Sequence, residues 1–76
     1  MINSFNMSIF AKRFSDLIYH CDLPLERLSE EMDVSRRFIY DMMGLKHTPS
    51  TRVIFNICRY FNVSADWLLG LKEERK

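Results

Sequence analysis

Two adjacent arginines, Arg36 and Arg37, directly follow Ser35 in the stretch Leu25–Pro49, LERLSEEMDVSRRFIYDMMGLKHTP. Ser35 is a good helix N-cap residue, so both guanidiniums fall in the first turn of a predicted helix. Cations are favoured late in a helix, because the N-terminal end of the macrodipole is positive. Two arginines in the disfavoured half point to an external anion that compensates them. A guanidinium can bond a phosphate, or bond guanine O6 and N7 bidentately with ~1–3 kcal/mol of base discrimination. A helix that presents its basic N-terminal end to a duplex is suited to the major groove. The competing assignment is a pair of surface arginines neutralised by Glu30, Glu31 or Asp33 just upstream.

Such a helix needs a scaffold, and hydrophobic periodicity supplies one. Phe10, Phe14, Leu17, Ile18 and Cys21 share one helical face, with Asn6 or Ser8 to cap its start and Asp22-Leu23-Pro24 to end it. A second helix is predicted over Leu25–Met32, where Leu25, Leu28 and Met32 face the same way. Asp33-Val34 makes a tight turn, with Val34 plugging the gap between neighbours. The third helix is predicted over Arg36–Met43, with Ile39, Met42 and Met43 inward. Gly44 is expected to stop it, because glycine tolerates the left-handed conformation. A loop over Leu45–Ser50 leads to a fourth helix, capped by Ser50 or Thr51, with Val53, Ile54, Ile57, Cys58 and Phe61 as its stripe. Asn62-Val63 turns the chain into a fifth helix capped by Ser64, with Trp67, Leu68 and Leu71 on its apolar side and Gly70 near its end. No segment alternates with period two for long enough to be a strand. The expected product is an all-α bundle of five short helices: an N-terminal arm over 1–7, a domain over 8–71, and a solvated charged tail over 72–76.

At 76 residues the chain is one domain with a modest core, which a dimer partner would reinforce. The balance of 11 basic and 10 acidic residues is weak for a nucleic-acid binder, so local distribution has to carry the case. Arg36, Arg37, Lys46, His47 and Arg52 cluster, while Glu26, Glu30, Glu31 and Asp33 lie mostly on the preceding helix. Cys21 and Cys58 fall on apolar stripes and read as buried thiols in a reduced, cytoplasmic protein. There is no CxxC, and His20 and His47 lack ligand spacing, so no metal is expected. No apolar run approaches the ~20 residues of a membrane span, and residues 1–7 lack signal-peptide character. No Gly-rich phosphate loop, HExxH or defensible Ser/His/Asp order appears, so neither an enzyme nor a cofactor is expected.

These residues together resemble the lambda-repressor-like DNA-binding domains, the Xre/Cro type of helix-turn-helix. The match covers roughly Phe10–Leu71. Its most specific part is Pro49-Ser50, then Ile54, Ile57 and Cys58, then the run Phe61-Asn62-Val63-Ser64-Ala65-Asp66-Trp67-Leu68-Leu69-Gly70. Leu28, Val34-Ser35, Ile39 and Lys46 fill the family's helix-turn-helix positions. The resemblance implies a five-helix domain whose second and third helices form the helix-turn-helix. It also implies a homodimer on an inverted repeat of double-stranded operator DNA, acting in transcription regulation. Four features depart from the family pattern. Leu25 replaces a glutamine that touches a phosphate, and Asp33 replaces the glycine of the turn. Ile18 and Met43 replace an arginine–glutamate pair. Gly44 stands one residue before the glycine that ends the family's third helix.

Carried over by position, the base-facing residues are Arg36, Arg37 and Asp41, with Phe38 and Tyr40 flanking. Asp41 lies four residues after Arg37, on the same helix face, and can accept from cytosine N4 or orient Arg37. Phe38 and Tyr40 can meet thymine methyls, or Tyr40 a phosphate; alternatively Phe38 folds onto the domain's own surface. Lys46, His47 and Thr48 are expected along the phosphate backbone. Ser50 and Thr51 stand at a helix N-terminus, where N–H groups can hold a phosphate. Arg13 and Arg52 are weaker phosphate candidates. Two functions remain open: a sequence-specific DNA-binding regulator, and a protein-interaction module on the same fold, antirepressor or antitoxin-like. The second is favoured by the apolar third helix and the low net charge.

Overall fold

Short polar side chains mark where four of the five helices start. In a computed structural model, which describes residues 5–76, the helices are α1 (Met7–Tyr19), α2 (Leu25–Met32), α3 (Arg36–Met43), α4 (Thr51–Phe61) and α5 (Ala65–Leu68). The first N–H groups of a helix lack intrahelical partners, and a capping oxygen satisfies one or two of them. Asn6 Oδ1 accepts from the N–H groups of Ser8 and Ile9 at 2.9 and 3.3 Å. Ser35, Ser50 and Ser64 each accept from the N–H three residues on, at 3.1, 3.2 and 3.0 Å. Pro24 precedes α2 in extended conformation and contributes no side-chain cap.

Each helix buries one stripe, and the stripes meet in one core. Phe10, Phe14 and Leu17 come from α1, Leu28 and Met32 from α2, and Ile39 and Met42 from α3. Val53 and Ile57 of α4 and Trp67 and Leu68 of α5 complete it. Val34 is buried between α2 and α3, as its place in the turn predicts. Phe10 and Phe14 stack with ring centroids 5.7 Å apart. No polar or charged residue is buried among the described residues, so the interior is held by apolar contact alone. Ile18 and Met43 both pack against this core. The fold is thus an all-α five-helix bundle, with no strand among the described residues. Met7 begins α1, and residues 1–4 of the expected N-terminal arm lie outside the described residues.

Helix ends required three corrections. Gly44 is not left-handed: its φ is −89°, and Leu45 takes the positive φ, at 64°. The N–H of Leu45 donates to Met42 O and that of Lys46 to Asp41 O, which closes a Schellman cap around Leu45. Cys21 lies beyond α1, which stops at Tyr19. The segment after α5 keeps residues 73–76 exposed, as a solvated tail would, but it is also docked onto the bundle. Arg13 donates to the carbonyls of Trp67 and Lys72 and to the Glu73 carboxylate, and the Ser64 N–H donates to Arg75 O. The guanidiniums of Arg13 and Arg75 lie 5.2 and 5.0 Å from the centroid of the Trp67 ring, within cation–π range. Long-range hydrogen bonds to a half-buried arginine dock this segment, and composition alone does not report them.

Gly70 has φ 88°, and a Cβ there would lie 3.0 Å from Ile9 Cγ2. Both the backbone and the packing against α1 therefore require glycine. Gly70→Ala is expected to lower stability by about 2–3 kcal/mol, from left-handed strain plus overpacking. Leu45→Gly is expected to raise stability by about 0.5–1 kcal/mol, because relief of strain exceeds the added chain entropy. Urea unfolding of the two variants beside the parent chain checks both signs.

Candidate functional site

The site begins at the turn between α2 and α3. Asp33 takes φ 58°, a left-handed conformation that aspartate tolerates better than most residues. Its N–H donates to Glu30 O, and the N–H of Val34 donates to Ser29 O, so α2 ends in a cap of the same kind as α3. Ser29 Oγ then donates to Val34 O at 2.6 Å, tightening the turn. Arg52 of α4 donates to the Asp33 carbonyl at 3.1 Å and lies 3.2 Å from its carboxylate. α3 leaves this braced turn with Ile39 and Met42 fully buried.

The buried stripe decides which residues of α3 face outward. Arg37, Tyr40 and Gly44 follow at i, i+3 and i+7 on the opposite side, with Arg36 and Asp41 flanking. The side chain of Arg37 is 89% exposed and Tyr40 is 61% exposed. Arg37 Nε lies 3.5 Å from Asp41 Oδ2, and Arg36 Nη1 lies 3.5 Å from Glu26 Oε1. Glu26 is not among the acidic partners expected for Arg36. Both pairs are long and both guanidiniums are open to water, so each pair is worth at most about 1 kcal/mol and leaves its arginine free to meet another anion. The Asp41 side chain is mostly covered and also lies 3.7 Å from His47 Nε2. One carboxylate thus stands between two groups aimed at the same face, which suits the orienting role.

Phe38 does not face outward with the arginines. It is half-buried, packs against the core and stacks on His47 with ring centroids 5.6 Å apart. Folding back is the second of the two outcomes open for it in the sequence. Lys46, His47, Thr48, Ser50 and Thr51 are all exposed along the loop and the start of α4. Val34, Ser35, Phe38, Ser50, Arg52 and Val53 line a shallow cleft of about 290 Å³, into which the capped starts of α3 and α4 converge. Arg13 and Arg52 are tied to internal partners, Arg13 to the C-terminal segment and Arg52 to the turn. Arg13 is thereby mostly covered, whereas the Arg52 side chain stays 60% exposed. Leu45, exposed and left-handed at the end of α3, was not among the candidates. Its only signal in the sequence is Gly44, the helix-stop residue directly before it.

A second brace lies behind the turn. Tyr60 of α4 donates to Glu31 Oε1 at 2.6 Å, and Arg27 Nε donates to Glu31 Oε2 at 2.7 Å. These bonds, Tyr60's first, hold the Glu31 carboxyl below its ordinary range, and the Tyr60 phenol is pushed up to about 12 by the same carboxylate. No groups of metal-ligating residues occur among the described residues, and no helix there is long and apolar enough to cross a membrane.

No protein-family model, curated protein or solved structure matches the chain.

The Glu31 brace stabilises the folded state above the ordinary carboxylate value of 4.5 and is lost as pH falls through the lowered folded value. The raised Tyr60 value acts with the opposite sign: its contribution is present below pH 10 and lost as pH rises through about 12. Tyr60→Phe is expected to return the Glu31 pKa toward 4.5 and to shrink the stability difference between pH 7 and pH 3. Side-chain NMR titration of Glu31, with urea melts at the two pH values, reads both effects.

Proposed function

We propose that this chain is a sequence-specific DNA-binding transcriptional regulator of the lambda-repressor-like, Xre/Cro type. In this reading α2 and α3 act as a helix-turn-helix, and α3 enters the major groove of double-stranded operator DNA. The observation that carries it is the outward face of α3, where Arg36, Arg37 and Tyr40 stand exposed and no other segment of the described chain covers them. The weak pairs to Glu26 and Asp41 hold the guanidiniums near a useful geometry without consuming them. Guanine O6/N7 or phosphate oxygens, presented in a groove of high negative potential, compete with these long carboxylate contacts for the exposed guanidiniums. Lys46, His47 and Thr48 follow along the backbone, and Ser50 and Thr51 bring the N–H groups of α4 to a phosphate.

Two copies would cover a two-fold site with half-sites about one helical turn (~34 Å) apart, as is general for this class. Occupying an operator in the cytoplasm, such a dimer would act as a repressor by exclusion. Phe55 and Leu71 are exposed at 59% and 73%, and supply apolar surface for a partner on α4 and after α5. The protein-interaction module remains the second reading. It is favoured by the carboxylate near each α3 arginine and by the near-neutral total of +1.

Salt dependence separates the two. Binding through about four phosphates gives a slope of log K against log salt near −3.6, at roughly −0.9 per phosphate. Arg36→Ala plus Arg37→Ala is expected to abolish sequence preference while leaving the thermal unfolding midpoint nearly unchanged, since both side chains are exposed. Fluorescence anisotropy on a site selected from random duplexes reads affinity, preference and slope together. A flat salt response with no selected site would give the fold to a protein partner.

A further inference from the structure

Four helices end on a residue of positive φ: α2 on Asp33, α3 on Leu45, α4 on Asn62 and α5 on Gly70. Aspartate and asparagine visit this region with local side-chain help, and glycine pays no steric penalty. Leucine has neither property. The residue beside it is a glycine, Gly44, held at φ −89°, a value open to any residue. A Cβ at position 44 would lie 3.2 Å from Tyr40 O, so the glycine serves close packing there while the leucine carries the positive φ.

Packing does not explain Leu45. Its side chain is 55% exposed and takes no part in the hydrophobic core. The cap fixes it in place, since the N–H groups on either side of its peptide plane are tied to Met42 O and Asp41 O. An isobutyl group is therefore held rigidly outward at strained backbone, a combination that clusters at binding surfaces. It lies in the chain between α3, whose outward face meets bases in the reading above, and Lys46–Thr48, which follow the phosphate backbone in that reading. An apolar group between those two segments fits a polyanion that displays an apolar group of its own. Duplex DNA does so in the major groove only at thymine, through the C5 methyl. Gly44, without a side chain, leaves room for a base edge to approach the backbone beside Leu45.

We propose that Leu45 is a specificity-determining residue that packs against a thymine C5 methyl in the major groove. This deepens the DNA-binding reading above and rests on it. The contact is sequence-selective but uncharged, so it adds discrimination without adding to the salt slope.

Deoxyuridine tests it, because it lacks only the methyl. A duplex selected by the parent protein is resynthesised with each thymine in turn replaced by deoxyuridine. One position per half-site is expected to weaken binding by about fourfold, the worth of one buried methyl group. Leu45→Gly and Leu45→Asn, both suited to positive φ, are expected to bind the thymine duplex about fourfold more weakly and to be indifferent to deoxyuridine at that position. Retained sensitivity in both variants, or none at any thymine in the parent, overturns the assignment while leaving sequence-specific binding standing. Failure of the parent protein to select any duplex removes the DNA-binding reading itself. Loss of self-association in Leu45→Gly with unaltered deoxyuridine sensitivity overturns the proposal and gives Leu45 to a protein surface.

Discussion

The placement of α3 depends on one backbone conformation, the left-handed turn at Asp33. That turn redirects the chain within the three residues separating α2 from α3, so the two helices cannot drift independently. Val34 is buried because the turn aims it inward, and the burial in turn resists opening. Arg52 holds the turn from α4 by bonding the Asp33 carbonyl, an oxygen left without an intrahelical partner where α2 ends. Glycine would adopt this φ with less strain, but it would leave the Arg52 guanidinium no carboxylate. The aspartate therefore exchanges some backbone ease for a bond that anchors the turn to its neighbour.

Charge in this molecule is arranged locally and nearly cancels globally. Most arginines and lysines of the described residues have a carboxylate nearby, and these pairs differ in kind. Arg13 is largely covered and spends its donors on backbone carbonyls, which makes it part of the fold. Arg36 and Arg37 are themselves exposed and meet their carboxylates at 3.5 Å, which leaves them available to a stronger anion. A net charge of +1 therefore says little about the face of α3. The same composition supports a cationic binding ridge or a neutral surface, depending on which pairs are made within the solvent-screened range.

Strain is distributed with similar unevenness. Helix ends at Asp33, Asn62 and Gly70 use residues suited to positive φ, whereas α3 ends on a leucine. The core could not have demanded this, because the leucine is outside it. Backbone strain of this size persists only where the surrounding cap over-determines the conformation, as the two hydrogen bonds around Leu45 do. The exposed end of α3 is thereby made stiff as well as apolar.

Local order was legible in the residues themselves. The bounds of α2 and α3, the caps at Ser35 and Ser64, and most of the core stripe follow from interactions spanning four residues or fewer, whereas the structure chose Asn6 over Ser8 and Ser50 over Thr51. Periodicity and capping chemistry encode such interactions directly. The candidate surface was legible only in part: Arg37 and Tyr40 face outward as their positions imply, whereas Phe38 folds back onto His47. What the residues did not disclose were partners far away in sequence. Arg13 reaches Trp67, Lys72 and Glu73, Arg52 reaches Asp33, and Tyr60 reaches Glu31. The one-residue shift that moved left-handed strain from Gly44 to Leu45 belongs with them. Sequence by itself determined the helices and their apolar faces, because those are fixed by near neighbours. Tertiary structure alone decided which cations are consumed by the scaffold and which remain at the surface, because a guanidinium's partner is chosen by the packing of whole helices.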